Sequence, residues 1–190
     1  MGKGFLSQSP ARWLAGLAAI GAMWFVAFEQ NERVPVLTYV NLGIHEAGHM
    51  FTYSASELFT SMAGSVAQVA VPVLIALYFF FRRGDWVGAG VCLVWAATSA
   101  AEVALYVADA PTQKLELIGG KHDWAFILGP EGYDAMHKSA EIADTIRDRA
   151  SVAAVVGFAL CIAAFVRGSR RRAQPETMVS TTRATATSRP

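Results

Sequence analysis

Four apolar runs constrain this chain more than any other feature: residues 13–28, 58–81, 86–108 and 150–166, within which Glu102 is the one charged side chain. A hydrocarbon core about 30 Å thick is crossed by about 20 residues of helix. Lipid offers the backbone no hydrogen-bond partner, so runs of this kind close their bonds internally as helices. Hydrophobic residues make up 54% and charged residues 16% of the 190, which places the whole chain in the membrane. The expected fold is an all-α polytopic bundle, one membrane-embedded domain over residues 1–167. Lys3 and Arg12 give the first run the flank of a secretory signal. Nothing after it resembles a small-x-small cleavage site, so it reads as a retained anchor.

Between the first two runs stands His45-Glu46-Ala47-Gly48-His49. The i, i+4 spacing of HExxH puts both imidazoles on one helix face, where they can take two corners of a tetrahedral Zn²⁺ beside a carboxylate. Zinc lowers the pKa of bound water from about 15.7 to about 7, and Glu46 is the candidate base that takes its proton. A chance match to HExxH is expected about once in a few hundred chains of this composition. Val34-Pro35-Val36-Leu37 and Met50-Phe51 flank the motif, and ionisable groups in so apolar a stretch are costly and usually functional.

Orientation follows from the arginines. Arg82 and Arg83 lie between the second and third runs, and Arg167, Arg170, Arg171 and Arg172 follow the last, so both places are predicted cytoplasmic. Residues 110–149 then form an outer-side loop module, with an amphipathic helix over 133–149. If Lys3 and Arg12 are also inside, the HExxH helix cannot cross and must be re-entrant; if it is a fifth span, the N-terminus is outside. Residues 168–190 have no apolar period and read as a disordered basic cytoplasmic tail resting on anionic lipid. Cys92 and Cys161 fall within apolar runs and are expected as free thiols. The net charge of +1 has its positive part at helix ends, and nothing supports nucleic-acid binding. The expected partners are the lipid bilayer and a membrane-protein or peptide substrate.

Polar side chains form stripes on the apolar helices. Thr38, Asn41, His45, His49 and Thr52 share one face; Ser61, Gly64, Ser65 and Gln68 share a second; Ser99, Glu102, Tyr106 and Asp109 share a third. Since lipid cannot satisfy them, the stripes should face one another around HExxH. A zinc hydrolase needs a third protein ligand. His122 is the leading candidate, with Asp109 and Asp123 as alternatives, and His137 reads as a surface residue. Asp109, Asp123, Glu102 and Gln68 are candidates for the surrounding shell that orients the ligands.

An HExxH helix in a small bundle, followed by a span carrying Gly64-Ser65-x-x-Gln68, resembles the site-two-protease class of intramembrane zinc metallopeptidases. The elements HEAGH, GSVAQ, YVADA and GGKHDW, in that order over about residues 34–130, are similar to those of a family of small bacterial membrane proteins. The resemblance implies metal-ligand roles for His45 and His49, a base role for Glu46, and a bacterial inner or plasma membrane location. The class draws its third ligand from an Asn-Pro-x-x-x-Leu-Asp-Gly type of motif, which is absent here. The expected function is zinc-dependent hydrolysis of a peptide bond at or within the membrane. The rival is a non-enzymatic transport or accessory subunit with a structural metal or proton site.

Overall fold

The computed structural model describes residues 10–115 and 121–173. Among these, every regular element is helical: α1 (Pro10–Trp24), α2 (Leu37–Thr52), α3 (Glu57–Leu77), α4 (Trp86–Asp109), α5 (Asp123–Leu128) and α6 (Ser139–Ala173). Short π-helical segments, Phe25–Glu29 and Tyr78–Arg83, extend α1 and α3, and a single turn of 3-10 helix, Met136–Lys138, leads into α6. Four stretches are long and apolar enough to cross a membrane, namely Ala11–Glu29, Glu57–Arg83, Trp86–Asp109 and Met136–Arg170. They contain the four expected runs. The helix ends follow local chemistry. Ser56 and Asp85 cap the first turns of α3 and α4 by accepting from the N–H of Phe59 and Gly88. Gly84, at φ 60°, stops the Tyr78–Arg83 segment in the left-handed conformation that glycine adopts without penalty.

α4 is the axis of the bundle, with half of its apolar stretch enclosed by other helices. Its closest neighbour is α6. A Cβ on Gly90 would come within 2.6 Å of the Gly157 carbonyl, and one on Gly157 within 2.8 Å of the Gly90 carbonyl. Small residues of this kind let two backbones approach where no hydrophobic effect drives them together. At one end of the bundle Arg12 pairs with Asp85, the Trp13 and Phe165 rings meet edge to face at 5.4 Å, and Arg167 lies over the Trp86 ring at 4.5 Å. The start of α1, the α3–α4 turn and the end of α6 therefore share a level, the arginine-rich end. Toward the other end, Arg147 donates to the Phe28 carbonyl at 2.9 Å.

α1 and α3 thus run in opposite directions, and α2 between them is not among the four stretches long and apolar enough to cross. The chain turns back at Val36, whose φ of 68° closes a γ-turn in which the Leu37 N–H donates to the Pro35 carbonyl at 2.9 Å. α2 starts deep, where Asn41 meets the middle of α4, and rises antiparallel to α3 until Thr60 Oγ1 donates to the Thr52 carbonyl at 2.7 Å. Its outer face is apolar, with Tyr39, Met50 and Phe51 more than 70% exposed in the isolated chain.

Two expectations need correction. The charged stretch 139–149 is no separate amphipathic helix, since α6 runs unbroken from Ser139 through the last span. That helix also continues to Ala173, so residues 168–173 are helical where a disordered tail was expected. Lys3, the Gly119-Gly120 pair and residues 174–190 lie outside the described residues. Cys161 is buried and Cys92 half-buried, both as free thiols.

Candidate metal centre

The three polar stripes do face one another, and their contacts set the depth of α2. Asn41 is the lowest fixed point. Its Oδ1 accepts from Trp95 Nε1 at 2.9 Å and Ser99 Oγ at 3.0 Å, and its Nδ2 donates to Glu102 at 2.7 Å. One turn up, His45 Nδ1 lies 2.9 Å from Gln68 Oε1. Gln68 Nε2 donates to the Ser99 carbonyl at 3.3 Å, which fixes the amide so that its oxygen faces the imidazole. One turn further, His49 Nδ1 lies 2.8 Å from the Thr60 carbonyl. Both acceptors are carbonyl oxygens, so both Nδ1 atoms carry the proton, and in the neutral imidazoles it is Nε2 that offers a lone pair.

The two Nε2 nitrogens converge on one carboxylate oxygen. Asp123 Oδ2 lies 3.0 Å from His45 Nε2 and 3.2 Å from His49 Nε2. Among the described residues, this trio is a set of potential ligand atoms lying within 4.8 Å of one another. Ligands about 2.0 to 2.2 Å from a tetrahedral zinc sit about 3.3 to 3.6 Å apart, so the spacing is a few tenths of an ångström short of that of a filled site. Such a convergence is stable around a positive charge, carried either by a metal ion or by a protonated imidazole. Gly64 lets both rings lie close against α3, since a Cβ there would come within 2.6 Å of Nε2 of both histidines.

Asp123 opens α5 and enters from the loop after α4. His122, one residue earlier and the leading expectation for a third ligand, is not among the three residues brought together. Its Nδ1 accepts from the Ala125 N–H at 3.2 Å as the N-cap of α5, and its ring stacks on Tyr106 at 4.3 Å. The other nitrogen, Nε2, lies 3.4 Å from Asp109 Oδ2 without the alignment of a hydrogen bond. Burial pushes the His122 pKa below the ordinary imidazole value, outweighing the pull of Asp109 and Asp123.

Asp109 is likewise removed from the trio and orients neither ligand histidine. Its carboxylate caps the following turn, accepting from Thr112 Oγ1 at 2.6 Å and from the N–H of Lys114 and Leu115 at 3.0 and 2.9 Å. Of the residues expected to orient ligands, Gln68 touches one directly. Glu102 reaches them only through Asn41, and its other oxygen lies 3.7 Å from Arg33 Nε. His137 sits in the 3-10 turn before α6.

The trio lines a cavity of 510 Å³ that also takes in Glu46, Arg33, Glu102 and Tyr106. At its rim Lys121 pairs with Glu57 at 3.0 Å, which raises the lysine pKa. Several parts of the site had no separate signal in the sequence: the Thr60 carbonyl, Arg33, and the hub made by Asn41. Gly64 and Gln68 had one, since they stand one helical turn apart on a face that meets HExxH. No protein-family model, no curated protein and no solved structure matches this chain.

Proposed function

We propose that this protein is a membrane-embedded zinc metallopeptidase in which His45, His49 and Asp123 hold the metal and Glu46 is the general base. The observation that carries the reading is the convergence of three ligand atoms with both Nδ1 atoms already committed to carbonyl acceptors. Histidines that ligate zinc almost always donate their other ring N–H in this way, which fixes the tautomer and raises ligand basicity. Two imidazoles and one carboxylate are also the donor set of catalytic zinc, with a fourth position left for water or substrate. When bound, zinc would polarise a carbonyl and acidify a water molecule.

Glu46 takes a proton from the attacking water and passes it to the departing amine, which balances the hydrolysis of a peptide bond. The cavity lining reaches Tyr53, Ala55, Glu57 and Lys121, at the end of the bundle away from the α3–α4 turn, whose arginines face the cytoplasm by the positive-inside rule. Hydrolysis therefore occurs at the outer leaflet. Among the described residues there is no strand, so the substrate is not held by adding to a sheet edge. It enters as a compact or unwound segment.

The test is metal content and turnover measured together on purified protein. His45→Ala, His49→Ala and Asp123→Ala should each lose stoichiometric zinc, while Glu46→Gln keeps zinc and loses hydrolysis of a fluorogenic peptide library. If Asp123→Ala retains zinc, the trio is not the site. The Arg33–Glu102 pair on the cavity wall favours a second reading, a transport or accessory subunit with a structural metal. Under it, parent and Glu46→Gln proteins behave alike.

A further inference from the structure

Two of the three proposed ligands ride on the 16-residue α2, but Asp123 is the first residue of a six-residue helix. So short a helix has no stability of its own. Its first N–H also has no partner within the helix. What holds Asp123 against the histidines must come from outside α5.

Ile127 and Leu128 bury the far end of α5 in the apolar core, and three side-chain hydrogen-bond pairings hold the end that carries Asp123. Lys121 pairs with Glu57, but with 85% and 59% of the two side chains exposed the pair contributes little. Trp124 Nε1 donates to Ser65 Oγ at 3.0 Å and ties the helix to α3. Tyr106 makes the contacts nearest the proposed ligand. Its hydroxyl accepts the Asp123 N–H at 3.0 Å and donates to Asp123 Oδ2 at 3.4 Å, the same oxygen that faces both imidazoles. The ring is pinned in turn by the stack with His122, whose Nδ1 caps the same helix.

We infer that Tyr106 is the positioning residue of the metal centre: one hydroxyl satisfies the orphan amide of the ligand residue and selects which of its carboxylate oxygens meets the histidines. This rests on the metal reading above. Tyr106 is placed for the task because α4 is the most enclosed helix of the bundle, and a donor mounted on it fixes the loop relative to α2 and α3. The bland alternative is that the hydroxyl merely fills a polar gap, in which case its removal alters stability and leaves the coordination sphere untouched.

The experiment titrates the full-length protein in detergent with Co²⁺, following the d–d absorption that reports coordination geometry, for parent, Tyr106→Phe and Asp123→Asn. The parent is expected to take up one equivalent with the intense bands of a four-coordinate ion, and Asp123→Asn to lose them. Tyr106→Phe keeps the ring and its stack; it should bind about 10- to 100-fold more weakly, with shifted bands. Tyr106→Phe with the parent's affinity and spectrum overturns the positioning role and leaves the metal centre standing. A parent that binds no cobalt overturns the centre, and the positioning role with it. If Tyr106→Phe does not fold, hydrogen exchange at the Asp123 amide of the parent decides. Protection at this first-turn position bears the role out, and exchange at the rate of an unpartnered amide overturns it.

Discussion

The α4–α6 seam and the α2–α3 seam are both closed by glycines, and they use the closeness differently. At Gly90 and Gly157 the space is filled from the other side by backbone, by Val94 and by Cys161, so the missing Cβ atoms serve only the approach of two helices. At Gly64 the nearest atoms are the Nε2 nitrogens of His45 and His49, so the missing Cβ lets two imidazoles of the candidate site lie against α3. Gly48, also on the α2–α3 seam, is of the first kind, facing the Ala63 carbonyl at 2.6 Å. A stripe of small residues therefore states only that something comes near. Whether that is a neighbouring backbone or a ring of the candidate site depends on what the opposite helix carries at the same level.

The largest effect expected from this contrast is at Gly64. Gly64→Ala places a methyl group against both ring nitrogens and must displace the imidazoles, so zinc affinity should fall about 100-fold, the upper range for losing the atoms that orient a ligand. Isothermal titration on folded protein measures it. The matched change, Gly90→Ala, should leave zinc affinity per folded molecule unaltered and lower stability by about 1 to 3 kcal/mol through overpacking. Thermal unfolding in detergent reads that change. If Gly64→Ala instead costs stability and leaves metal binding intact, the two seams are alike and the close approach at Gly64 serves packing alone.

The spans were legible because the bilayer imposes length and apolarity on every residue of a run, as in 58–81 and 86–108. HExxH was legible because two histidines four apart must share a helix face. The choice between His122 and Asp123 was not. They are adjacent in a loop, and which one points at α2 depends on which one caps α5. Histidine takes the cap here and its Nδ1 is spent on the Ala125 N–H, leaving the aspartate to face inward. The depth of α2 was also hidden, because it follows from the γ-turn at Val36, which has no periodic signal, and from which α4 residues Asn41 meets, which its place in the stripe does not specify. α6 misled for another reason. Charged residues 139–149 read as a solvated face, but nothing between them and the span breaks a helix.

A smaller effect is expected at Gln68, which on the α3 side of the centre does by side chain what the Thr60 carbonyl does by backbone. Gln68→Ala leaves the His45 Nδ1–H without its acceptor, and the ring is then free to change tautomer. Zinc affinity should fall about tenfold, the lower end of the range for such partners. Gln68→Glu should bind at least as tightly as the parent, because a carboxylate accepts the same hydrogen bond more strongly. Equal affinities for parent and Gln68→Ala would mean that His45 is oriented by packing alone.

The smallest effect is expected at Glu102, although a carboxylate in a span is the feature that sequence alone ties most readily to the metal. Its oxygens are committed to Asn41 Nδ2 at 2.7 Å and Arg33 Nε at 3.7 Å, and Asn41 lies one full turn below His45. Gln at this position still accepts from Asn41 and loses only the pairing with Arg33, whose side chain is 38% exposed and so partly solvated already. Glu102→Gln should keep zinc affinity within about threefold and cost less than about 1 kcal/mol of stability. Arg33→Ala should destabilise more than Glu102→Gln does, since it leaves a carboxylate inside the bundle without its cation. That order of stabilities marks the pair as the seat of α2. A tenfold or larger loss of zinc binding in Glu102→Gln would show instead that the seat and the centre act as one unit, with Asn41 transmitting the change to His45.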